Sequence, residues 1–172
     1  MKTAEKLFVI LFRLTASVIV IAASAILLLM LFGIHPYAVK TGSMEPTIPT
    51  GSLCFVNHRI SLEEIHEGDV IAFRVGELLV THRAVRIDGE GVTTKGDANN
   101  TEDQGAKVTR ANYIGKTVFW VPFIGKAVLF IRSGKGRIVA VIAIVLFFVT
   151  GLFYDRLIAG QKKTNVQPEQ KG

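Results

Sequence analysis

Three short segments collect the side chains that acyl transfer requires. The first, Lys40-Thr41-Gly42-Ser43-Met44-Glu45-Pro46-Thr47, sets a serine beside a glycine and shortly before a proline, the composition of a shaped turn. The second, Leu79-Val80-Thr81-His82-Arg83-Ala84-Val85, is strand-like, and a period of two puts His82 on one face with Val80 and Ala84. The third, Lys95-Gly96-Asp97-Ala98-Asn99-Asn100-Thr101-Glu102-Asp103, carries several acidic groups in a loop. A serine hydroxyl becomes an effective nucleophile when a base takes its proton during attack, and a neutral imidazole can do so near pH 7. A carboxylate on the other ring nitrogen fixes the tautomer and stabilises the imidazolium that forms.

Each segment taken alone also has a plainer reading. A Gly-Ser pair is ordinary in loops, and a strand histidine can be satisfied by backbone. Asp, Asn and Gly favour solvated turns through side-chain to backbone hydrogen bonds. The third segment does not have the spacing of an EF-hand calcium loop. His35 adjoins Pro36 where an apolar run ends, while His58 and His66 fall in charged stretches near expected turns, so His82 is the histidine best suited to be a base. Cys54, the single cysteine, lies in the apolar run Leu53-Cys54-Phe55-Val56, where a small buried hydrophobe is expected rather than a nucleophile. One cysteine excludes an intrachain disulfide and a Cys-based metal site.

The elements that must position these groups read as all-β. Short runs rich in Val, Ile, Thr and Phe, bounded by Gly, Asp and Asn, are expected as strands at Ala38–Lys40, Ser52–Asn57, Val70–Val75, Leu78–Ile87, Val92–Lys95 and Tyr113–Trp120. Val75-Gly76-Glu77-Leu78 and Asp88-Gly89-Glu90-Gly91 suggest hairpins. Ser61-Leu62-Glu63-Glu64 starts like a capping box, with Gly68 following too soon for more than a short helix. No βαβ rhythm or internal repeat is visible.

The 172-residue chain is 49% hydrophobic, and its apolar excess sits in two runs near the ends. Leu14 to Phe32 is almost wholly apolar, enough for a helix spanning about 30 Å of hydrocarbon. A cleavable signal peptide is the rival, but the run is long for one and no small-residue cleavage site follows it, so a retained anchor is expected. Ile138 to Phe153 is shorter, and Leu157 and Ile158 extend it past Asp155 and Arg156. It has no polar face, which favours a span over an interfacial helix. The net charge of +6 comes largely from basic residues flanking these runs. No Lys/Arg stripe interleaved with aromatics crosses the middle, so no nucleic-acid partner is expected. Lys2, Lys6 and Arg13 at one end, and Arg156, Lys162 and Lys163 at the other, place both termini in the cytoplasm, against Arg132, Lys135 and Arg137. The expected layout is a cytoplasmic N-terminus over 1–13, a transmembrane helix over 14–34 and an extracytoplasmic domain over 35–137. A second transmembrane helix over 138–158 and a polar, disordered cytoplasmic tail over 159–172 complete it.

The run Ser43-Met44-Glu45-Pro46-Thr47, then His82-Arg83, then Gly96-Asp97 with Asp103 six residues on, resembles signal peptidase I (peptidase family S26). It resembles most the Ser/His branch found in the endoplasmic reticulum, archaea and some Gram-positive bacteria. Val121-Pro122-Phe123-Ile124-Gly125 is similar to a further family segment, and the four motifs occur in family order. The resemblance implies a mainly-β fold, a small coiled antiparallel sheet with barrel-like character, flanked here by two transmembrane helices. It implies a membrane-bound serine endopeptidase with Ser43 as nucleophile, His82 as general base, Asp103 supporting the histidine and Asp97 as a second acidic residue nearby. The Ser43 backbone N–H and the Thr41 hydroxyl would form the oxyanion site. Substrates would be secretory preproteins with small residues at positions −1 and −3, bound as an extended strand near the outer surface of the cell or endoplasmic reticulum membrane. The implied partners are the lipid bilayer and a secretion translocon or accessory subunits, and no cofactor is implied. Two rivals stay open: a non-catalytic membrane-anchored scaffold or accessory subunit of a secretion complex, and a Ser/Lys dyad using Lys95.

Overall fold

In a computed structural model, residues 3–105 and 107–164 are described. The chain runs α1 (Thr3–Leu31), β1 (Ile34–Ala38), β2 (Leu53–Asn57), a 3₁₀ turn (Leu62–Glu64), β3 (Val70–Val75), β4 (Leu78–Asp88), β5 (Gly91–Lys95), β6 (Tyr113–Val121), α2 (Ile124–Arg132) and α3 (Gly134–Thr164). It divides into two compact units, one holding the chain through Val18 together with the chain from Phe130 on, the other Ile19–Leu129.

In the first unit, the Phe12 and Phe147 rings stack at 4.3 Å. Leu7–Leu31 and Gly134–Gly151 are long and apolar enough to cross a bilayer. Their apolar side chains are exposed at Leu14, Val18, Ile142 and Val145, among others. Helices without a polar face that leave such residues uncovered suit an apolar solvent. The expected tail is shorter than anticipated, because α3 continues through Thr164. Its remaining residues, 165–172, and Lys2 of the basic N-terminus lie outside the described residues.

The second unit is a six-stranded sheet ordered β1-β2-β6-β3-β4-β5, every pairing antiparallel. The mainly-β expectation holds, but the strands form an open sheet with β1 and β5 at its edges. Both expected hairpins are present, pairing Val75 with Leu78 and Asp88 with Gly91. The Ser61 N–H donates to Glu64 Oε2 at 2.8 Å, as a capping box requires. The β5 edge is partly covered, because Val92 and Val108 exchange backbone hydrogen bonds of 2.9 and 2.8 Å.

The first strand differs from expectation. It occupies Ile34–Ala38 rather than 38–40, and α1 stops at Leu31, short of the expected 34. Gly33 ends the helix in the left-handed region at φ +81°, and Arg59 Nη2 donates to the Leu31 carbonyl at 2.7 Å. Pro36 disguised the strand, since proline is tolerated only where no ladder N–H is needed, as on an edge.

Two apolar clusters hold the sheet. One joins Ile65, Ile71, Phe73, Ala84, Val92 and Val108; the other joins Met44, Ile48, Cys54 and Val70. Cys54 is fully buried, and burial pushes its thiol up to about 11, as befits an inert packing group.

Helix α2 had no counterpart in the sequence-based expectation. Its start is fixed by close packing: a Cβ on Gly125 would overlap the Ser52 carbonyl, and the Lys126 N–H donates to the Gly51 carbonyl at 3.2 Å. Gly125→Ala should therefore destabilise the unit by about 2 kcal/mol or more, because the obstacle is backbone. Thermal melts of the detergent-solubilised protein check this against Gly89→Ala, whose added Cβ meets nothing within 4 Å. Equal melting of the two variants would refute the packing account.

Candidate active site

Ser43 sits in the turn between β1 and β2, and its neighbour Met44 anchors that turn by inserting into the second apolar cluster, 2% exposed. The turn is internally bonded: Glu45 N–H donates to Gly42 O at 3.0 Å and Ile48 N–H to Met44 O at 2.8 Å. The Glu45 carboxylate accepts from the Thr50 N–H at 3.0 Å and the Thr50 hydroxyl at 2.6 Å, and these bonds hold its pKa below the usual carboxylate range. The Glu45–Pro46 peptide is cis.

His82 lies mid-β4, opposite Ile71, and is 8% exposed. Its ring packs edge-to-face with Phe73, the ring centroids 6.2 Å apart. Ser43 Oγ lies 3.0 Å from His82 Nε2, and His82 Nδ1 lies 2.6 Å from Asp103 Oδ2. An ionised carboxylate only accepts, so Nδ1 carries the proton and Nε2 presents its lone pair to the Ser43 hydroxyl. Asp103 has a second donor, the Thr94 hydroxyl at 2.7 Å. The serine, histidine and Asp103 singled out in the sequence are thus brought into one hydrogen-bonded chain.

Asp97 is placed differently. Arg83 Nε donates to its Oδ1 at 2.8 Å and Arg83 Nη2 to its Oδ2 at 2.6 Å, while Arg83 Nη1 donates to the Gly68 carbonyl at 2.7 Å. This fork holds the Asp97 carboxyl below the usual range. The loop beside it reaches the backbone of Ser43. The Ala98 N–H donates to the Ser43 carbonyl at 2.9 Å, and a Cβ on Gly96 would stand 2.6 Å from that same oxygen. Gly96 is therefore small because Ser43 lies against it.

Thr41 is exposed, two residues before Ser43. Lys95 pairs with Arg83 across β4 and β5, whereas Thr94 pairs with Ala84, which shares a face with His82. Strand alternation thus puts Lys95 on the sheet face away from the imidazole. His35 and His58 stack on each other at 4.4 Å. A cavity of about 660 Å³ opens behind His82 and Asp103, lined also by Phe73, Val80, Thr93 and Thr94.

Thr94 is the site residue that sequence reasoning missed. Its position in β5, just before Lys95-Gly96-Asp97, was the available signal, but a threonine in a strand reads first as a β former.

A family model described as signal peptidase, peptidase S26, matches residues 12–113, more than half of the chain. The signal peptidase complex catalytic subunit sec11 of Sclerotinia sclerotiorum is 35% identical over 99 residues, covering 51% of this chain and 58% of that protein. Signal peptidase I W of Bacillus subtilis is 41% identical over 93 residues, covering 49% of this chain and 48% of its own length. The chain thus spans about half the length of the curated relatives it matches. The family match runs through the serine turn, the histidine strand and the acidic loop, and on that ground the chain belongs to the S26 signal peptidase family.

Proposed function

We propose that this chain is a membrane-bound serine endopeptidase that removes N-terminal signal peptides from exported preproteins. The observation that carries the reading is the continuous hydrogen-bonded chain from Ser43 Oγ through the His82 ring to Asp103. His82 Nε2 takes the hydroxyl proton as Ser43 attacks the scissile carbonyl, and Asp103 keeps Nδ1–H in place and stabilises the imidazolium. The imidazolium then protonates the leaving amine. Water, deprotonated by the same nitrogen, releases the acyl group. The developing oxyanion is met by the Ser43 N–H and the Thr41 hydroxyl.

The substrate is a preprotein with small residues at −1 and −3, laid as an extended strand along the site. Residues 14–34 and 138–158 act as membrane anchors, the domain over 35–137 lies outside the cytoplasm, and both ends of the chain lie inside it. The anchors hold this domain at a bilayer of the cell or endoplasmic reticulum, so each substrate meets it at high local concentration. The fungal relatives are named as subunits of a signal peptidase complex, which supports accessory subunits as partners here. Asp97 assists indirectly, by clamping Arg83 and the loop that seats the Ser43 carbonyl.

Ser43→Ala and His82→Ala should each lower processing of a preprotein reporter by about 10³-fold or more, whereas Lys95→Ala should keep the rate within about tenfold. Unchanged processing by both of the first pair leaves the scaffold reading standing. Loss in Lys95→Ala alone would favour a lysine base.

Asp97→Asn should cost about 1–3 kcal/mol of stability at pH 7, since it leaves the half-buried Arg83 without its carboxylate. Because the folded-state pKa of Asp97 is depressed, its contribution is complete above the ordinary carboxyl value of about 3.9 and is lost as pH falls through the lower folded value. The gap between wild type and Asp97→Asn should therefore hold from pH 7 to about 4 and narrow below it. Melts of both proteins across that range check the sign, and a gap that widens in acid contradicts it.

A further inference from the structure

We infer that Thr94 is a positioning residue for the proposed reaction, holding the carboxylate of Asp103 so that the imidazole of His82 stays aimed at Ser43. The inference rests on the peptidase reading above and adds a residue to it.

Thr94 grips Asp103 at two points. Its hydroxyl donates to Asp103 Oδ2 at 2.7 Å, and its carbonyl accepts the Asp103 N–H at 2.8 Å. The oxygen that takes the hydroxyl is the one that takes His82 Nδ1–H at 2.6 Å. A loop that leaves the sheet after Lys95 is thereby closed onto the strand it left, with its last carboxylate under the imidazole.

The sheet register supplies the placement. Thr94 stands opposite Ala84 across β4 and β5, and His82 lies two residues before Ala84 on the same face. Thr94 and His82 are therefore diagonal cross-strand neighbours, near enough for one carboxylate oxygen to serve both. Ala84 is 0% exposed, and its small side chain leaves room between them.

Threonine suits the task for three reasons. Its χ1 is restricted by β-branching, so the hydroxyl direction is largely set by the strand. Thr94 is itself 3% exposed, so water competes poorly for the hydroxyl. An ionised Asp103 can only accept, which makes the hydroxyl hydrogen's direction unambiguous. Asp103, by contrast, sits on a loop and its side chain is 30% exposed; without a second donor it could rotate toward solvent. Such rotation would release the ring tautomer and misalign Nε2.

The test uses the full chain in detergent or vesicles, with a signal-peptide-bearing preprotein as substrate. Thr94→Val should lower kcat about tenfold with KM changed less than twofold, since the lost contact is a hydrogen bond to a charged group remote from the substrate. Thr94→Ser should restore kcat to within about threefold of wild type. In an Asp103→Ala background, Thr94→Val should have no further effect, because the group it positions is gone.

A fold defect that removes active molecules would lower apparent kcat by the same factor in both backgrounds, so the double variant separates it from the positioning role. An unchanged kcat in Thr94→Val, or an equal fall with and without Asp103, overturns the assignment. If Ser43→Ala itself processes the reporter normally, the peptidase reading fails instead, so the two failures are distinguishable.

Discussion

Burying the imidazole of His82 commits both of its ring nitrogens to partners, and most of the second unit is arranged to deliver them. An unpaired ring nitrogen out of water would carry a desolvation cost of about 1–3 kcal/mol. The two partners are remote in sequence: Ser43 lies 39 residues before the histidine and Asp103 lies 21 after it. Neither is on a strand. Each must be carried to the β4 face by a loop whose ends are fixed in the sheet and whose middle is pinned by something else. For the serine that pin is Met44, driven into the apolar cluster with Ile48, Cys54 and Val70. For the aspartate it is Thr94, whose backbone and side chain both reach it.

This arrangement explains why two acidic residues six apart play unlike parts. Asp103 faces the buried imidazole, and its Oδ2 serves one ring nitrogen and one hydroxyl. Asp97 faces Arg83, which follows His82 directly and so points to the other side of β4. Consecutive residues of a strand alternate faces, and His82-Arg83 uses this to send an imidazole one way and a guanidinium the other. The guanidinium then ties the acidic loop to the Gly68 carbonyl in the turn just before β3. One dipeptide thus sets the imidazole direction and braces the loop against which Ser43 rests.

Much of this was legible in the sequence. Five of the six strands lie where runs rich in Val, Ile, Thr and Phe, bounded by turn residues, put them, because β-branched and aromatic side chains suit a pleated, buried surface. Ser43, His82 and Asp103 were singled out through the order of their motifs, and Asp103 rather than Asp97 lies 2.6 Å from the histidine ring. What stayed hidden shares a physical character. The strand at Ile34–Ala38 contains a proline that only an edge position tolerates, and edge status is a tertiary fact. Helix α2 is fixed by an approach between Gly125 and Ser52, residues far apart in the chain. Thr94 carries no signature of its own, since its importance lies in a register shared with Ala84.

The motif glycines show how the chemical and packing requirements divide. Gly96 and Gly125 both belong to segments that resemble the family, yet neither offers a side chain to any reaction. Each is placed where a backbone carbonyl of the β1–β2 connection comes to rest: the Ser43 carbonyl against Gly96, the Ser52 carbonyl against Gly125. The Ala98 and Lys126 N–H groups then bond to the same two stretches of chain. The connection from Ser43 to Ser52 is held at one end by the loop at Gly96 and at the other by the start of α2 at Gly125, where only glycine lets the backbones approach closely enough. A nucleophile on an unsupported turn would sample many positions relative to a fixed base, and alignment within about half an ångström is what makes a serine reactive. The same carbonyl seats that keep Ser43 within reach of His82 also account for the glycines at 96 and 125. The requirement for glycine at these two positions therefore follows from packing rather than from chemistry.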